Sequence, residues 1–124
     1  GPTSRRLAPR ATLRRTRHAP RRLVGPTGPL PLASLAGQPV TALAGIGQPQ
    51  AFAATLRELG AEVVAEAFFA DHHPYTADEL AQVAVQAAGR VVVTTEKDQL
   101  RVGAWPIDGA PLWVLGIELE DYRL

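Results

Sequence analysis

One short polar segment places a carboxylate beside two imidazoles: Asp71, His72 and His73 are followed by a proline and Tyr75. These groups can serve in general acid/base catalysis, proton relay or metal ligation. Neighbouring histidines point in different directions in most backbone conformations, so we expect at most one to face a given site. A metal site needs further ligands, and only His18 precedes this segment as a histidine. The structural alternative is that Asp71 caps the turn and His72 packs beneath Tyr75.

A second polar cluster, Thr95, Glu96, Lys97 and Asp98, directly follows a run of valines. A glutamate and an aspartate on either side of a lysine could position a phosphate, orient a histidine or pair with the lysine. The alternative interpretation is a solvated charged loop. We therefore treat these four residues as candidates for positioning a substrate or a phosphate group.

Two glycines, Gly45 and Gly47, follow another apolar run. They suggest a dinucleotide-binding loop, but the third glycine of G-x-G-x-x-G would fall on Gln50. The alternative is that they let the backbone turn tightly into a helix at Pro49. The phosphate-loop pattern G-x-x-x-x-G-K-[ST] does not occur, and Lys97 is the only lysine. The sequence therefore excludes a phosphate loop within this chain.

Alternating strands and helices are predicted to carry these groups. The apolar runs predict four strands, over residues 40–46, 62–69, 90–95 and 112–117. One helix is predicted to start at Pro49, and another at the capping box of Thr76 and Glu79. Such alternation favours a parallel sheet whose functional groups lie at the carboxyl ends of its strands. We expect a Rossmann-like, three-layer α/β/α fold with a small, mostly parallel sheet of about four strands.

The first 39 residues differ from the rest in composition. They are rich in proline and glycine, and they hold eight of the twelve arginines, whereas no acidic residue precedes Glu58. Residues 1–39 are therefore predicted to be an irregular connecting segment, and residues 40–124 the α/β domain. Within the segment, a short strand over residues 22–24 and one helical turn over residues 32–36 remain open alternatives. A basic arm favours anionic partners, either nucleic acid or an anionic membrane surface, and the alternative is a solvated segment. Nucleic acid is disfavoured because no aromatic residue interrupts the first 51 positions.

Composition narrows the class of protein further. The chain has 124 residues, which is enough for one domain but not two. No cysteine is present, which excludes disulfides and thiolate chemistry. No apolar run approaches the roughly 20 residues that span a bilayer. We expect a cytoplasmic protein.

In their order along the chain, these motifs resemble the C-terminal part of the tetraacyldisaccharide 4'-kinases of lipid A biosynthesis. The resemblance covers about residues 21–124. Its matching residues are Ala44-Gly45-Ile46-Gly47 with Pro49 and Phe52, Thr55-Leu56-Arg57 with Gly60, Phe69 to Tyr75, Thr95 to Asp98, and Trp113 to Ile117. No single motif is specific, but the ordered set is.

The resemblance implies an enzyme that transfers the γ-phosphate of ATP, with Mg²⁺, to the 4'-hydroxyl of a tetraacyldisaccharide 1-phosphate. Such an enzyme would lie at the cytoplasmic face of the inner membrane. The family's phosphate loop and magnesium ligands belong to an N-terminal domain that this sequence lacks. ATP and Mg²⁺ are therefore expected to bind mainly to that domain, and neither to this chain alone. The implied partners are the glycolipid substrate, an anionic membrane surface and the missing domain, with nucleic acid unexpected.

The resemblance also implies roles for individual residues. His72 would act as a base together with an aspartate of the missing domain, and Asp71 would assist it. Positioning of substrate or phosphate would fall to Thr95, Glu96, Lys97, Asp98 and Arg101, with Gly45 and Gly47 as loop glycines. Arg101 stands where many relatives have lysine, and Ala70 where relatives often have proline. The rival interpretation is a non-catalytic binding module whose basic arm engages anionic lipid or nucleic acid.

Overall fold

Six strands form one sheet in the computed structural model, which describes residues 14–106 and 110–123 and the side chains of residues 20–106 and 110–117. The strands are β1 (Arg14–Gly25), β2 (Gly28–Leu30), β3 (Pro39–Ala44), β4 (Glu62–Phe68), β5 (Val91–Thr95) and β6 (Leu112–Arg123). Their order across the sheet is β2-β1-β6-β5-β3-β4. Strands β3 to β6 are parallel, and β1 is antiparallel to both of its neighbours. The α/β class predicted from the sequence is confirmed.

Three α-helices connect the parallel strands. They are α1 (Pro49–Glu58), α2 (Ala77–Ala87) and α3 (Glu96–Val102), and a 3₁₀ helix spans Leu32–Leu35. Pro49 stands in the first turn of α1, as predicted, where a missing N–H leaves no bond unmade. The capping box of α2 is also present, since the Thr76 hydroxyl and the Glu79 carboxylate each accept a backbone N–H of the other residue.

Helices cover both faces of the sheet and create two apolar clusters. On one face, Phe52 and Leu56 of α1 pack against alternate residues of β3 and β5. On the other face, Leu80 and Val83 of α2 pack against Leu43 and the intervening residue of β5. Strands β3 and β5 are buried almost throughout because side chains of both faces meet a helix. This arrangement explains their unbroken apolar runs.

The prediction of an irregular N-terminal segment is wrong over β1 and β2, whereas the helical turn expected over residues 32–36 is confirmed by the 3₁₀ helix. Strand β1 pairs with β6 over nearly its whole length, and β2 pairs with β1. Pro20 is tolerated inside β1 because the register shifts between Pro20 and Arg22, and prolines are accommodated at such irregularities. Residues 1–13 lie outside the described residues, and the division of the chain at residue 39 stays a prediction.

The prediction of a loop over Thr95 to Asp98 is also wrong. Thr95 ends β5 and is the N-cap of α3, so the polar cluster lies on the first turn of a helix. Within the described ranges, the structure contains no helix of the length and apolar character needed to cross a membrane.

Candidate active site

A cleft opens where the carboxyl ends of the parallel strands meet, as the sequence predicted. Its volume is about 410 Å³. It is lined by Ile46, Gly47 and Gln48 after β3, by Asp71 and His72 after β4, by Thr95, Glu96, Lys97 and Arg101 at the start of α3, and by Ile117 of β6. The strand order thus brings three separate polar segments to one place.

The segment after β4 presents His72 to this cleft. The backbone of His72 is left-handed, with φ +62°, and its N–H donates to the carbonyl of Gly45 at 2.9 Å. The imidazole is 78% exposed, and its Nε2 atom lies 3.8 Å from Oδ1 of Asp71. That separation suits an ion pair rather than a hydrogen bond. His72 is therefore available to a ligand, with a carboxylate beside it.

His73 points into the protein instead. Its ring stacks on Phe69 with centroids 4.6 Å apart, and it meets Tyr75 edge to face. Its Nε2 atom lies 2.9 Å from the carboxylate of Glu79. The packing role that the structural alternative assigned to His72 therefore belongs to His73. The expectation that at most one of the two histidines faces the site is confirmed.

Glu79 connects His73 to the start of α2. The backbone N–H of Thr76 donates to its carboxylate, and this bond, with the one from His73, holds the pKa of Glu79 below its ordinary value. A hydrogen bond to an ionised carboxylate favours the charged form. The capping box thus also supports the turn after β4.

Asp98 lies behind the cleft with its side chain fully buried. Its Oδ1 atom accepts from the Gly45 backbone N–H at 2.9 Å, from the Tyr75 hydroxyl at 2.9 Å and from Arg101 at 2.8 Å. Its Oδ2 atom accepts from the Thr95 hydroxyl at 2.7 Å. We call these five residues the Asp98 network. A side chain without exposed surface does not touch a ligand, so Asp98 acts on the site only through its neighbours.

The hydroxyl of Tyr75 remains a donor in this network. Burial raises the pKa of Tyr75 well above its ordinary value, and the nearby carboxylate of Asp98 raises it further. Both causes disfavour the phenolate. Tyr75 therefore keeps the proton with which it donates to Asp98 at neutral pH.

Two cationic side chains line the described part of the cleft, and they differ in burial and in hydrogen-bond partners. Arg101 is mostly buried and donates to both Asp98 and the carbonyl of Gly45, at 2.8 and 3.0 Å. Lys97 is exposed at the mouth of the cleft. Lys97 is thus better placed to meet an anionic group, whereas Arg101 chiefly holds the cleft together.

Glu96 has a partner that sequence reasoning missed. Arg22 of β1 donates to both carboxylate oxygens of Glu96, at 2.6 and 2.8 Å. The pair lies over Gly116 of β6, where an added Cβ would stand 2.7 Å from Cγ of Arg22 and 2.8 Å from Oε2 of Glu96. The two partners are 74 residues apart, so no local pattern indicates their contact. A strand expected to be a connector therefore supplies the partner of a residue that lines the cleft.

The chemistry open to the His, Asp and Glu side chains of the described residues includes metal ligation. No group of three or more His, Asp or Glu side chains among them is arranged to hold a metal ion. The chain also has no phosphate-loop pattern, as its sequence shows. What the arrangement supplies is an exposed imidazole, a neighbouring carboxylate and an exposed ammonium group on one side of a cleft.

Comparison with known proteins identifies relatives of this chain. A family model described as tetraacyldisaccharide-1-P 4'-kinase matches residues 4–122. A tetraacyldisaccharide 4'-kinase of Rhodopseudomonas palustris is 53% identical over 98 residues, which cover 77% of this chain and 27% of that protein. One of Methylorubrum extorquens is 51% identical over 85 residues, covering 67% of this chain and 25% of the relative. The chain thus spans about a quarter of these relatives.

A solved structure shares the fold. It is described as the "apo" form of LpxK from Aquifex aeolicus in complex with ATP. The match has a TM-score of 0.54 and 21% sequence identity, and it covers 89% of this chain and 32% of that one. The strand and helix arrangement described above is therefore found within a larger protein.

Proposed function

The chain belongs to the tetraacyldisaccharide-1-P 4'-kinase family, and we propose that it is the C-terminal part of an ATP-dependent kinase that phosphorylates the 4'-hydroxyl of tetraacyldisaccharide 1-phosphate in lipid A biosynthesis. The observation that carries the proposal is the exposed Asp71–His72 pair, which lines the same cleft as Lys97 at the carboxyl ends of the parallel strands. Phosphoryl transfer needs little from a protein beyond positioning, charge stabilisation and orientation of the attacking hydroxyl.

Each of these three residues has a role in the proposal. The His72 imidazole takes the proton of the sugar hydroxyl as that oxygen attacks phosphorus. Asp71, 3.8 Å away, stabilises the resulting imidazolium. The ammonium group of Lys97 offsets negative charge near the reacting phosphoryl group. The phosphoryl group comes from ATP: the bond from the γ-phosphorus to its bridging oxygen breaks, and ADP leaves. ATP and Mg²⁺ would be held mainly by the N-terminal part of the enzyme.

The chain alone is expected to be inactive. His72 is exposed to solvent rather than enclosed. Efficient phosphoryl transfer requires the reacting groups to be aligned and shielded from water. We propose that the N-terminal domain supplies the opposite side.

The site has to approach a membrane because the substrate carries four acyl chains. We propose peripheral association with the cytoplasmic face of the inner membrane, supported by the excess of arginines before residue 24. Basic segments are attracted to anionic lipid surfaces. Replacing Arg5, Arg6 and Arg10 with serine is expected to weaken binding to vesicles that contain phosphatidylglycerol. Unchanged binding would remove this support, and strong arm-dependent binding to duplex DNA would favour the rival interpretation of a non-catalytic module.

The catalytic proposal is tested in a full-length relative that carries the equivalents of His72→Ala and His73→Ala. The first is expected to lower 4'-kinase kcat by about 10²- to 10⁴-fold, which is the usual contribution of a general base. His73→Ala is the matched control, and it is expected to lower mainly the stability of the enzyme. A His72→Ala enzyme within a few-fold of wild type would end the catalytic assignment.

A further inference from the structure

We propose that Asp98 is a positioning residue for His72, because its buried carboxylate holds the backbone of residues 71–75 in the conformation that directs the His72 imidazole into the cleft. The structural part of this inference stands on the contacts of the Asp98 network. Its catalytic consequence rests on the proposed function. The two are tested separately below.

The first connection from Asp98 to His72 passes through Gly45. Both backbone polar groups of Gly45 are engaged: its N–H donates to Asp98 at 2.9 Å, and its carbonyl accepts the His72 N–H, also at 2.9 Å. Arg101 strengthens the connection, since one guanidinium nitrogen donates to Asp98 and to the Gly45 carbonyl. A shift of Gly45 therefore moves the backbone of His72.

The second connection passes through Tyr75, at the other end of the turn. Its hydroxyl donates to the same Oδ1 atom that accepts from Gly45. The ring of Tyr75 also lies edge to face with Phe69 at the end of β4. One carboxylate oxygen thus restrains the turn at His72, through Gly45, and again at Tyr75.

The backbone of His72 needs such restraint. A φ of +62° lies in the left-handed region. Residues other than glycine seldom adopt this backbone conformation unless their surroundings enforce it. This conformation separates the two histidines, so that His72 lines the cleft while His73 packs on Phe69. Without the bond to Gly45, the turn would be free to relax toward commoner conformations.

The burial of Asp98 indicates that its carboxylate has a structural role in the cleft. An ionised carboxylate is costly to bury unless hydrogen bonds and an opposite charge compensate for lost hydration. Here Arg101 supplies the charge, and the donors come from the loops after β3 and β4 and from the start of α3. The carboxylate therefore joins all three polar segments that form the cleft.

The structural part is tested in the 124-residue chain by amide hydrogen exchange measured by NMR. We expect Asp98→Asn to raise the exchange rate of the His72 N–H at least tenfold relative to amides of β5, and Tyr75→Phe to raise it several-fold. Glu62→Gln, an exposed carboxylate on β4, is the matched control and is expected to stay within twofold. If Asp98→Asn does not fold, Tyr75→Phe decides alone. An unchanged His72 rate in the folded variants would overturn the inference.

The catalytic part is tested in a full-length relative by a double-mutant cycle at the equivalent positions. Asp98→Asn is expected to lower kcat about 10- to 100-fold, the effect of a misplaced catalytic group, while the KM for ATP changes less than threefold. In a His72→Ala background the same change is expected to cause no further loss, because residues that act as a unit are not additive.

The outcomes of the cycle separate the two proposals. Equal losses of kcat in both backgrounds would show that Asp98 does not act through His72, and would overturn the catalytic part of this inference. If His72→Ala alone leaves kcat within a few-fold of wild type, the catalytic role proposed for His72 fails. In that case the exchange rates still decide whether Asp98 holds the turn.

Discussion

The Oδ1 atom of Asp98 accepts a hydrogen bond at 2.9 Å from the backbone N–H of Gly45, a residue 53 positions earlier in the chain. This contact depends on the absence of a side chain at Gly45. A Cβ there would stand 2.9 Å from the carbonyl oxygen of Ala70 and 3.0 Å from the hydroxyl of Tyr75. The end of β3 and the turn after β4 can therefore approach each other only with glycine at this position.

Gly45→Ala is expected to destabilise the chain by about 1–3 kcal/mol, the usual cost of overpacking a buried site. The backbone carbonyl of Ala70 cannot move aside without displacing the turn. Gly47→Ala is the matched control, since its Cβ would meet Asp71 at an ordinary 3.6 Å. Urea unfolding monitored by tryptophan fluorescence measures both. Equal effects of the two changes would contradict the close approach at Gly45.

The two adjacent histidines are expected to differ in their effect on stability. His73→Ala removes a ring stacked on Phe69 and a bond to Glu79, so a loss of about 1–3 kcal/mol is expected. His72→Ala removes an exposed side chain and is expected to change the free energy of unfolding by less than about 0.5 kcal/mol. Chemical denaturation at pH 7 compares the two. A larger loss for His72→Ala would reverse the assignment of the packing role.

The pH dependence of stability should reveal the lowered pKa of Glu79. Because its pKa is lower in the folded state, Glu79 stabilises the fold fully above the ordinary glutamate pKa of about 4.3, and this contribution is lost as the pH falls through the folded-state pKa. The difference in unfolding free energy between wild type and Glu79→Gln is therefore expected to shrink from about pH 5 downward. Unfolding curves at intervals of half a pH unit would show this. A difference that grows in acid has the wrong sign for the proposed cause.

The ion pair between Arg22 and Glu96 is expected to contribute little to the free energy of unfolding. Its formation is expected to depend on Gly116. The Arg22 and Glu96 side chains are 54% and 39% exposed, so a double-mutant cycle with Arg22→Ala and Glu96→Ala should give a coupling below about 1 kcal/mol. In a Gly116→Ala background the coupling is expected to disappear, because the new methyl group occupies the space of the contact. A coupling of the same size in both backgrounds would show that the pair does not require Gly116.

The elements that could be predicted from sequence are those that local patterns specify. The strands at β3 and β5 follow from apolar runs, the start of α1 from Pro49, and the start of α2 from the capping box of Thr76 and Glu79. Helix α3 was missed although Thr95 and Asp98 form a helix N-terminal pattern, with the Asp98 N–H donating to the Thr95 hydroxyl at 3.1 Å. A helix of seven residues spans too few turns for its apolar residues to show a helical repeat. The charged residues Glu96, Lys97 and Asp98 are also typical of a loop.

Apart from residues 22–24, strand β1 could not be predicted from local signals. Its composition is that of a connector, and it is a strand because it pairs with β6 far along the chain. The edge of β6 supplies the hydrogen bonds that local propensity does not. The same pairing explains why Arg22 reaches Glu96.

By itself, the sequence determined the alternation of parallel strands with helices, and thereby that the segments holding Gly45, His72 and Lys97 lie at one edge of the sheet. The tertiary structure alone decided which side chains there meet a ligand and which support others. Asp98 is buried and His73 packs inward because strands that are distant in sequence lie side by side. The burial of a side chain and its hydrogen-bond partners depend on that arrangement in space. The type of a single residue does not determine either of them.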